Sequence, residues 1–349
     1  MNEIGPRSVL AAALIAFAPT GLVAQHGDTA RAAQVDAVFA EWQRPGSPGG
    51  AVVVVRNGEI VYEAGYGTAD LDHELPIGPG TVFEIASMSK QFTAFAVALL
   101  VEDGVLSLDD PVREWMPELP ADVYDPVTLR HLVHHTGGVR DWVELLWLAG
   151  WRFDDVIAVA DILELAKRQR ALNFPPGSEE RYSNTGYTLL AETVGRATGG
   201  TFREFMHERV FVPLGMKDTH VHDDHTEIVA HRARSYEPRE GGGWMLLVDN
   251  TMGVGSGSVF TTVHDLAQWL RNLEEGTVGG SAVGARMRER FTLTGGDTID
   301  YAFGLSHGEY RGLPTLGHGG SWRGYRTNLL TFPEQHLGIV VLGNSTAFD

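Results

Sequence analysis

Ser87-Met88-Ser89-Lys90 sets a hydroxyl and an amine three residues apart at the head of an apolar run, residues 91–101. Residues at that spacing share one face of a helix, which places a nucleophile beside a candidate base. Serine attacks a carbonyl only after its proton is removed, and a lysine removes it only when neutral. Burial supplies that condition, because desolvation disfavours the ammonium and lowers the amine pKa. The run is apolar nearly all round, through Phe92, Ala94, Phe95, Ala96, Val97, Ala98, Leu99 and Leu100, the mark of a helix buried on most faces, whose first turn is held still. That turn also offers unpaired N–H groups and a positive dipole end to a developing oxyanion. The chemistry in view is nucleophilic acyl transfer, although the pair alone also fits a surface serine and lysine at a helix start.

Two later stretches bear on this. Pro175-Pro176-Gly177-Ser178 leads into Arg181-Tyr182-Ser183-Asn184-Thr185-Gly186-Tyr187 ahead of an apolar helix expected over 188–196, and His318-Gly319-Gly320-Ser321 lies in a strand-like stretch beginning at Leu313. Ser-x-x-Lys, Tyr-x-Asn and His-x-Gly in this order and separation resemble the class C β-lactamase and D-Ala-D-Ala carboxypeptidase family, which includes D-aminopeptidases and several carboxylesterases. The resemblance runs from about Ala32 to the last residue. It takes in Leu129-Arg130-His131-Leu132-Val133-His134-His135-Thr136-Gly137-Gly138 and Gly257-Ser258-Val259-Phe260-Thr261-Thr262.

The resemblance implies an α/β fold of β-lactamase/transpeptidase type, an antiparallel sheet flanked by helices with an inserted, mostly helical sub-domain. It makes Ser87 the nucleophile of a covalent acyl-enzyme, with Lys90 and Tyr182 handling protons. Either is the base, or the two titrate as a coupled pair, and the Tyr182 phenol passes a proton to the leaving group and later activates water. Asn184 carries over as the amide that hydrogen-bonds Lys90 or the substrate. The oxyanion hole would use the N–H groups of Ser87 and Ser321, and Gly319 and Gly320 would let substrate lie close to the strand edge. No cofactor is implied.

At His318 the chain departs from the pattern, since β-lactamases of this fold usually place a lysine there, with a hydroxyl residue beside it, aimed at the substrate carboxylate. An imidazole and a glycine weaken that contact. Arg323 or Arg326 is the replacement to consider, against the plainer reading of each as an exposed surface arginine. An exported serine hydrolase acting on a D-amino-acid peptide or small ester is therefore expected ahead of efficient β-lactam hydrolysis. The alternative is a catalytically silent penicillin-binding-like protein that binds cell-wall peptides.

Composition is ordinary for a globular chain: 349 residues, 43% hydrophobic and 21% charged. A formal net charge of −18 argues against nucleic acid and anionic membrane surfaces as partners, leaving a small-molecule or peptide substrate. There is no cysteine, hence no disulfide or thiol chemistry. Residues 1–24 read as an export signal, with Arg7 before an apolar run at 9–17, a Pro19 and Gly21 break and small Ala24. That run is shorter than the roughly 20 residues of a membrane span, so the expectation is a periplasmic or secreted protein with no membrane insertion after signal removal.

Fourteen histidines invite a metal reading. His220, His222 and His225 with Asp223 and Asp224 are the densest group; a polar loop accounts for them equally well, no His-Glu-x-x-His helix is present, and no metal ligand is assigned. His131, His134 and His135 are read as structural. The lack of Gly-x-Ser-x-Gly argues against an α/β-hydrolase.

The positioning elements follow from pattern. Residues 29–42 have helical spacing, and 51–56 and 59–65 form a hairpin on Asn57-Gly58, a pair that tolerates the positive φ angles of a tight turn. Short helices follow, among them 153–169, 188–197 and 201–210, while Thr262 with Asp265 resembles a capping box opening a helix over 263–274. Gly241-Gly242-Gly243 and 276–284 read as loops, and strands return at 313–317, 326–332 and 337–342. The division expected is 25–110 plus 290–349 as the α/β sub-domain and 111–289 as the helical insert, with the site at their seam. Relatives usually continue into a C-terminal helix covering the sheet, whereas this sequence stops at Asp349. The expectation is either a truncated sequence or cover from the N-terminal helix and a partner subunit.

Overall fold

The computed structural model describes residues 29–348; the expected export signal, 1–24, lies outside them. Four helices position the site: α1 (Thr29–Val38), α2 (Lys90–Glu102), α3 (Asn184–Thr198) and α4 (Val263–Glu275). The main sheet holds β1 (Gly50–Arg56), β2 (Glu59–Tyr66), β3 (Ser306–Tyr310), β4 (Leu313–Trp322), β5 (Tyr325–Phe332) and β6 (Leu337–Gly343). Their order is β3-β4-β5-β6-β1-β2, antiparallel throughout. The two ends of the chain therefore meet at the β1–β6 ladder. The hairpin turn has Asn57 at φ 51° and Gly58 at φ 75°, the two left-handed residues that a tight two-residue connection demands.

Strand alternation explains how both sheet faces are covered. Ala51, Val53 and Val55 of β1 point into the main core, whereas Val52 points the other way, into a cluster with Phe39, Trp42, Tyr66 and Phe348. Phe39 stacks on Tyr66 with ring centroids 4.5 Å apart. Phe348 seats directly over Gly343, where a Cβ would come within 2.2 Å of its ring. The segment after α1 and the last described residues thus cover part of the outer face.

On the inner face, α4 packs across β1 and β6 and α2 lies behind it. Residues from Lys90 to Leu100 are all buried. Trp269 of α4 meets Phe92 at 4.4 Å and the edge of Phe95 at 4.9 Å, and its Nε1–H donates to Gln91 Oε1 at 2.6 Å while Gln91 Nε2 donates to Met88 O. Gln91 is therefore satisfied, as is Thr93, whose Oγ1 donates to Gly255 O at 2.8 Å, as burial requires.

The structure redraws several expected boundaries. α4 lies within the range assigned to the helical insert but packs on the sheet; its amphipathic pattern marks an apolar face without naming the partner. Thr262 does cap it, accepting from Asp265 N, but the Asp265 carboxylate turns away to accept from Asp218 N and Thr219 Oγ1. The helix expected over 153–169 spans Val159–Lys167, and part of the glycine-rich 276–284 stretch belongs to a helix, Gly280–Arg286. β3 was not expected, and β4 runs on through His318 to Trp322. A three-stranded sheet, Phe83–Glu84, Val259–Thr261 and His220–Val221, links the two parts of the fold just ahead of Ser87. Among the described residues no helix is long and apolar enough to cross a membrane.

Candidate active site

Ser87 sits in a 3-10 turn, Ala86–Ser89, that runs directly into α2. Ala86 has φ +49°, a left-handed conformation that an L-residue adopts at a cost and that turns the chain sharply before the nucleophile. Surrounding structure fixes this turn: Ile85 N donates to Val259 O at 3.0 Å and Thr327 Oγ1 to Ile85 O at 3.0 Å. Gly320 of β4 presses against it so closely that a Cβ would lie 2.3 Å from Ile85 O and 2.4 Å from Thr327 Oγ1.

Lys90, 0% exposed, points Nζ at three acceptors: Asn184 Oδ1 at 2.8 Å, Ser256 O at 2.7 Å and Ser87 Oγ at 3.3 Å. Burial pulls its pKa from 10.5 down to about 7, against the opposing pull of the Asp141 carboxylate. The amine is therefore substantially neutral near pH 7 while aimed at the serine hydroxyl.

Tyr182 lies across from it, its ring centroid 4.6 Å from Lys90 Nζ, and lines the same cavity as Ser87. The ring is 41% exposed to the cleft, yet desolvation of its hydroxyl end holds the phenol well above its ordinary pKa. Tyr182 stays protonated where Lys90 does not. Behind it His135, at φ +59° and buried, accepts from Ser183 N through Nδ1 at 3.1 Å and packs on Tyr182, Tyr187 and Tyr301 at 4.3, 4.9 and 4.5 Å. Burial and the Lys90 charge keep its imidazole far below the usual histidine range. His131 and His134 also pack inward, His131 in a reciprocal cap with Thr128 and His134 on Tyr301 O.

Asn184 opens α3, with Ser183 as its N-cap. Its backbone N–H donates to Asp141 Oδ2 at 2.5 Å, and Asp141 caps the helix Trp142–Leu148 by accepting from Val143 N and Glu144 N. Asp141 is thus a buried carboxylate one residue removed from the lysine amine. The sequence reading did not single it out, and neither Ser256, which serves through its carbonyl, nor Tyr301, whose hydroxyl lies 3.3 Å from His318 Nε2, carried a signal beyond ordinary cap, loop and core patterns.

His318 comes within the site as expected, with Nδ1 2.5 Å from Gly319 O. Burial and the Lys90 charge lower its pKa to about 4, so it presents a neutral ring. β3 pairs with β4 only as far as Gly317, which leaves the His318–Ser321 edge without a strand neighbour on that side. Two cavities meet at Ser87 and Ser321. One, of about 180 Å³, is bounded by Glu84, Trp142, Asn184 and Trp322; the other, of about 830 Å³, runs past Tyr182, His318, Gly319 and Gly320 to Trp42 and Phe348. Arg326 lines the larger cavity, its Nη1 donating to Arg323 O and Tyr325 O; Arg323 lines neither.

Ser87, Lys90, Tyr182, Asn184, His318, Gly319, Gly320 and Ser321 are therefore brought to one cleft. The chain is 30% identical over 312 residues to penicillin-binding protein 4* of Bacillus subtilis, covering 84% of this chain and 68% of that protein. It is 28% identical to a D-aminopeptidase of Gluconobacter oxydans, covering 85% of this chain but only 56% of that enzyme's length. Among solved structures it superposes on an octameric penicillin-binding protein homologue from Pyrococcus abyssi with TM-score 0.78 at 26% identity, covering 91% of this chain and 73% of that one. A D-amino acid amidase from Ochrobactrum anthropi gives 0.74 at 25% identity, covering 90% and 91%. Residues 35–349 match the family described as Beta-lactamase, and with a serine, a buried lysine and a tyrosine converging on one cleft of that fold, the chain belongs to the β-lactamase family as a serine hydrolase.

Proposed function

We propose that this hydrolase cleaves amides or esters of short substrates bearing a D-amino acid, through an acyl-enzyme on Ser87. The observation that carries this is the buried Lys90 amine, 3.3 Å from Ser87 Oγ with its pKa near 7. Lys90 takes the serine proton as Oγ bonds to the substrate carbonyl. Negative charge collects on the carbonyl oxygen beside the N–H groups of Ser87 and Ser321. The intermediate collapses with loss of the amine or alcohol, which takes a proton through Tyr182. Water, deprotonated through the same pair, then cleaves the acyl-enzyme and returns the proton to Ser87.

The two cavities give the substrate a direction. The proton donor to the leaving group is Tyr182, which lines only the larger cavity, so the leaving group occupies the 830 Å³ groove and the acyl part the 180 Å³ pocket. A pocket of that size fits about one residue, which favours release of a terminal D-residue or hydrolysis of its amide or ester. The D-configuration rests on the D-aminopeptidase and D-amino acid amidase relatives. A neutral His318 gives a substrate carboxylate no cation, which places β-lactams lower. We propose export as well, on the strength of the 1–24 segment.

Intact-mass and peptide mapping after exposure to a serine-directed phosphonate tests the chemistry. A single adduct on Ser87, absent in Ser87→Ala and slowed in Tyr182→Phe, is expected; no adduct on folded protein would favour a silent binding protein. Turnover of D-amino acid p-nitroanilides and esters alongside a β-lactam then orders the substrates.

A further inference from the structure

His220 opens the two-residue strand His220–Val221 and His222 follows it directly; the two imidazoles lie side by side, ring centroids 5.6 Å apart, while Val221 enters the core. Both rings pack on Phe260, at 5.6 and 4.6 Å. His220 Nε2 and His222 Nδ1 are buried and have no hydrogen-bond partner, an unfavourable state for a polar atom unless something else meets it. The residue completing the group is Glu227, rather than Asp223, Asp224 or His225 of the sequence cluster. One ligand atom from each of His220, His222 and Glu227 falls within 4.8 Å of the others.

We propose that His220, His222 and Glu227 bind a divalent transition-metal ion such as Zn2+, a site separate from the catalytic cleft. His222 Nδ1 lies 3.7 Å from Glu227 Oε2: too long for a hydrogen bond, and near the ~3.3 Å that separates two ligands bonded at ~2.0–2.1 Å to one tetrahedral ion. His222 is only 4% exposed, so its nitrogen is presented by a fixed ring. Arg203 grips both Glu227 oxygens, at 2.7 and 2.8 Å, and Asp223 Oδ1 at 2.8 Å. That outer clamp fixes the carboxylate as metal sites require, and Oε2 retains a second lone pair for the ion. Two imidazoles and one carboxylate suit zinc, cobalt or nickel ahead of magnesium or calcium. A cavity of about 350 Å³ lined by His207, His220 and Glu227 gives access and room for a fourth ligand from solvent.

The ion's role is architectural. His222 N donates to Ser258 O at 2.7 Å, and two residues back Ser256 O accepts from Lys90 Nζ. Metal on the histidines stiffens the segment that holds the catalytic amine without touching substrate.

The test uses the whole chain, stripped with chelator and titrated with ZnCl2 and CoCl2 by calorimetry and visible absorption. One ion per chain is expected, with the cobalt bands of a tetrahedral nitrogen–oxygen site. His220→Ala and His222→Asn should each weaken binding by ~100-fold or more. Phosphonate labelling of Ser87 in the stripped protein should persist, which separates this site from the hydrolytic mechanism. Absence of stoichiometric binding by the folded parent overturns the proposal, as does undiminished affinity in folded His220→Ala, whose half-buried ring is the safer of the two to remove.

Discussion

The Lys90 amine should announce itself in the pH dependence of catalysis, and Asp141 should control where. Burial lowers the Lys90 pKa to about 7 and the Asp141 charge works against that fall. Only the neutral amine accepts the serine proton, so kcat/KM for a chromogenic ester should rise with pH through an apparent pKa near 7. It should show no descending limb at moderately alkaline pH, because Tyr182 is held above its ordinary value. Asp141→Asn removes the opposing charge, and the limb must then move to lower pH. Asn184 bridges the two groups, its N–H on Asp141 and its Oδ1 on Lys90, so one residue separates the charges, and about 7 Å serves as the working distance. At an effective dielectric of about 20 that separation gives about 2.4 kcal/mol, and with screening a displacement of about 1 to 2 pH units is the working figure. The assay is a kcat/KM profile on parent, Asp141→Asn and Tyr182→Phe, each confirmed folded by circular dichroism. Tyr182→Phe should lower the plateau while leaving the limb in place. An Asp141→Asn limb that stays put or moves upward refutes the electrostatic account, and a limb lost in Tyr182→Phe transfers the base to the tyrosine.

Other consequences are as direct. Gly320→Ala places a methyl 2.3 Å from Ile85 O, so β4 must retreat from the nucleophile turn, and a fall of ~100-fold in kcat is expected in a protein that still melts cooperatively. Gln91→Leu strands Trp269 Nε1 and Met88 O in the core; unfolding free energy should drop by about 2–3 kcal/mol without moving the pH profile. Lys90→Met should be inactive yet gain stability relative to the parent at pH 6. The parent amine has a folded pKa below its unfolded 10.5, so the unfolded chain binds the extra proton between pH 7 and 10.5 and parent stability rises across that window. The advantage of the methionine variant must therefore shrink there by up to ~1.4 kcal/mol per pH unit, and a difference independent of pH in urea titrations would contradict a buried neutral lysine.

Much of the site could be read from the sequence because its parts are local. Ser87 and Lys90 share one helical turn, Tyr182 and Asn184 flank one N-cap, and His318-Gly319-Gly320-Ser321 is a single strand segment. What escaped is contributed by features every protein has. Asp141 carries the signature of any helix cap, and Ser256 acts through a carbonyl that any residue would supply. The left-handed Ala86 is set by what surrounds it, with Gly320 and Thr327 arriving from the far end of the chain. β4 is glycine-rich past Gly317, so its strand-like character is legible while its end at Trp322 is not, and Ser306-His307-Gly308-Glu309-Tyr310 has no apolar alternation because β3 is an exposed edge. The division at 111–289 missed α4 because its capping and amphipathicity specify a helix with a buried face, and only the β1–β6 ladder, joining residues nearly 300 apart, supplies the surface for that face.

The distribution of charge inside the cleft decides what substrate suits it. Three basic side chains crowd the nucleophile: Lys90 with a pKa of about 7, His318 at about 4, and His135 far below its usual range. Each is desolvated, and a proton on Lys90 makes both imidazoles harder to protonate. At neutral pH the cleft thus offers bases where a carboxylate-binding enzyme would offer cations. Removing charge from the lysine and supplying charge to an anionic substrate are linked within one small volume, because a fixed cation at position 318 would depress Lys90 further while attracting a carboxylate. With histidine there, the only negative charge to be stabilised is the one that develops on the carbonyl oxygen. Backbone N–H groups do that without titrating, so rate should be insensitive to a substrate carboxylate and sensitive to whatever shifts the Ser87 turn against β4. Replacing His318 by lysine is the decisive contrast: on this reasoning it improves KM for carboxylate-bearing substrates and drives the ascending limb of the pH profile below that of the parent. Improvement without that displacement would show the two groups to be electrostatically independent.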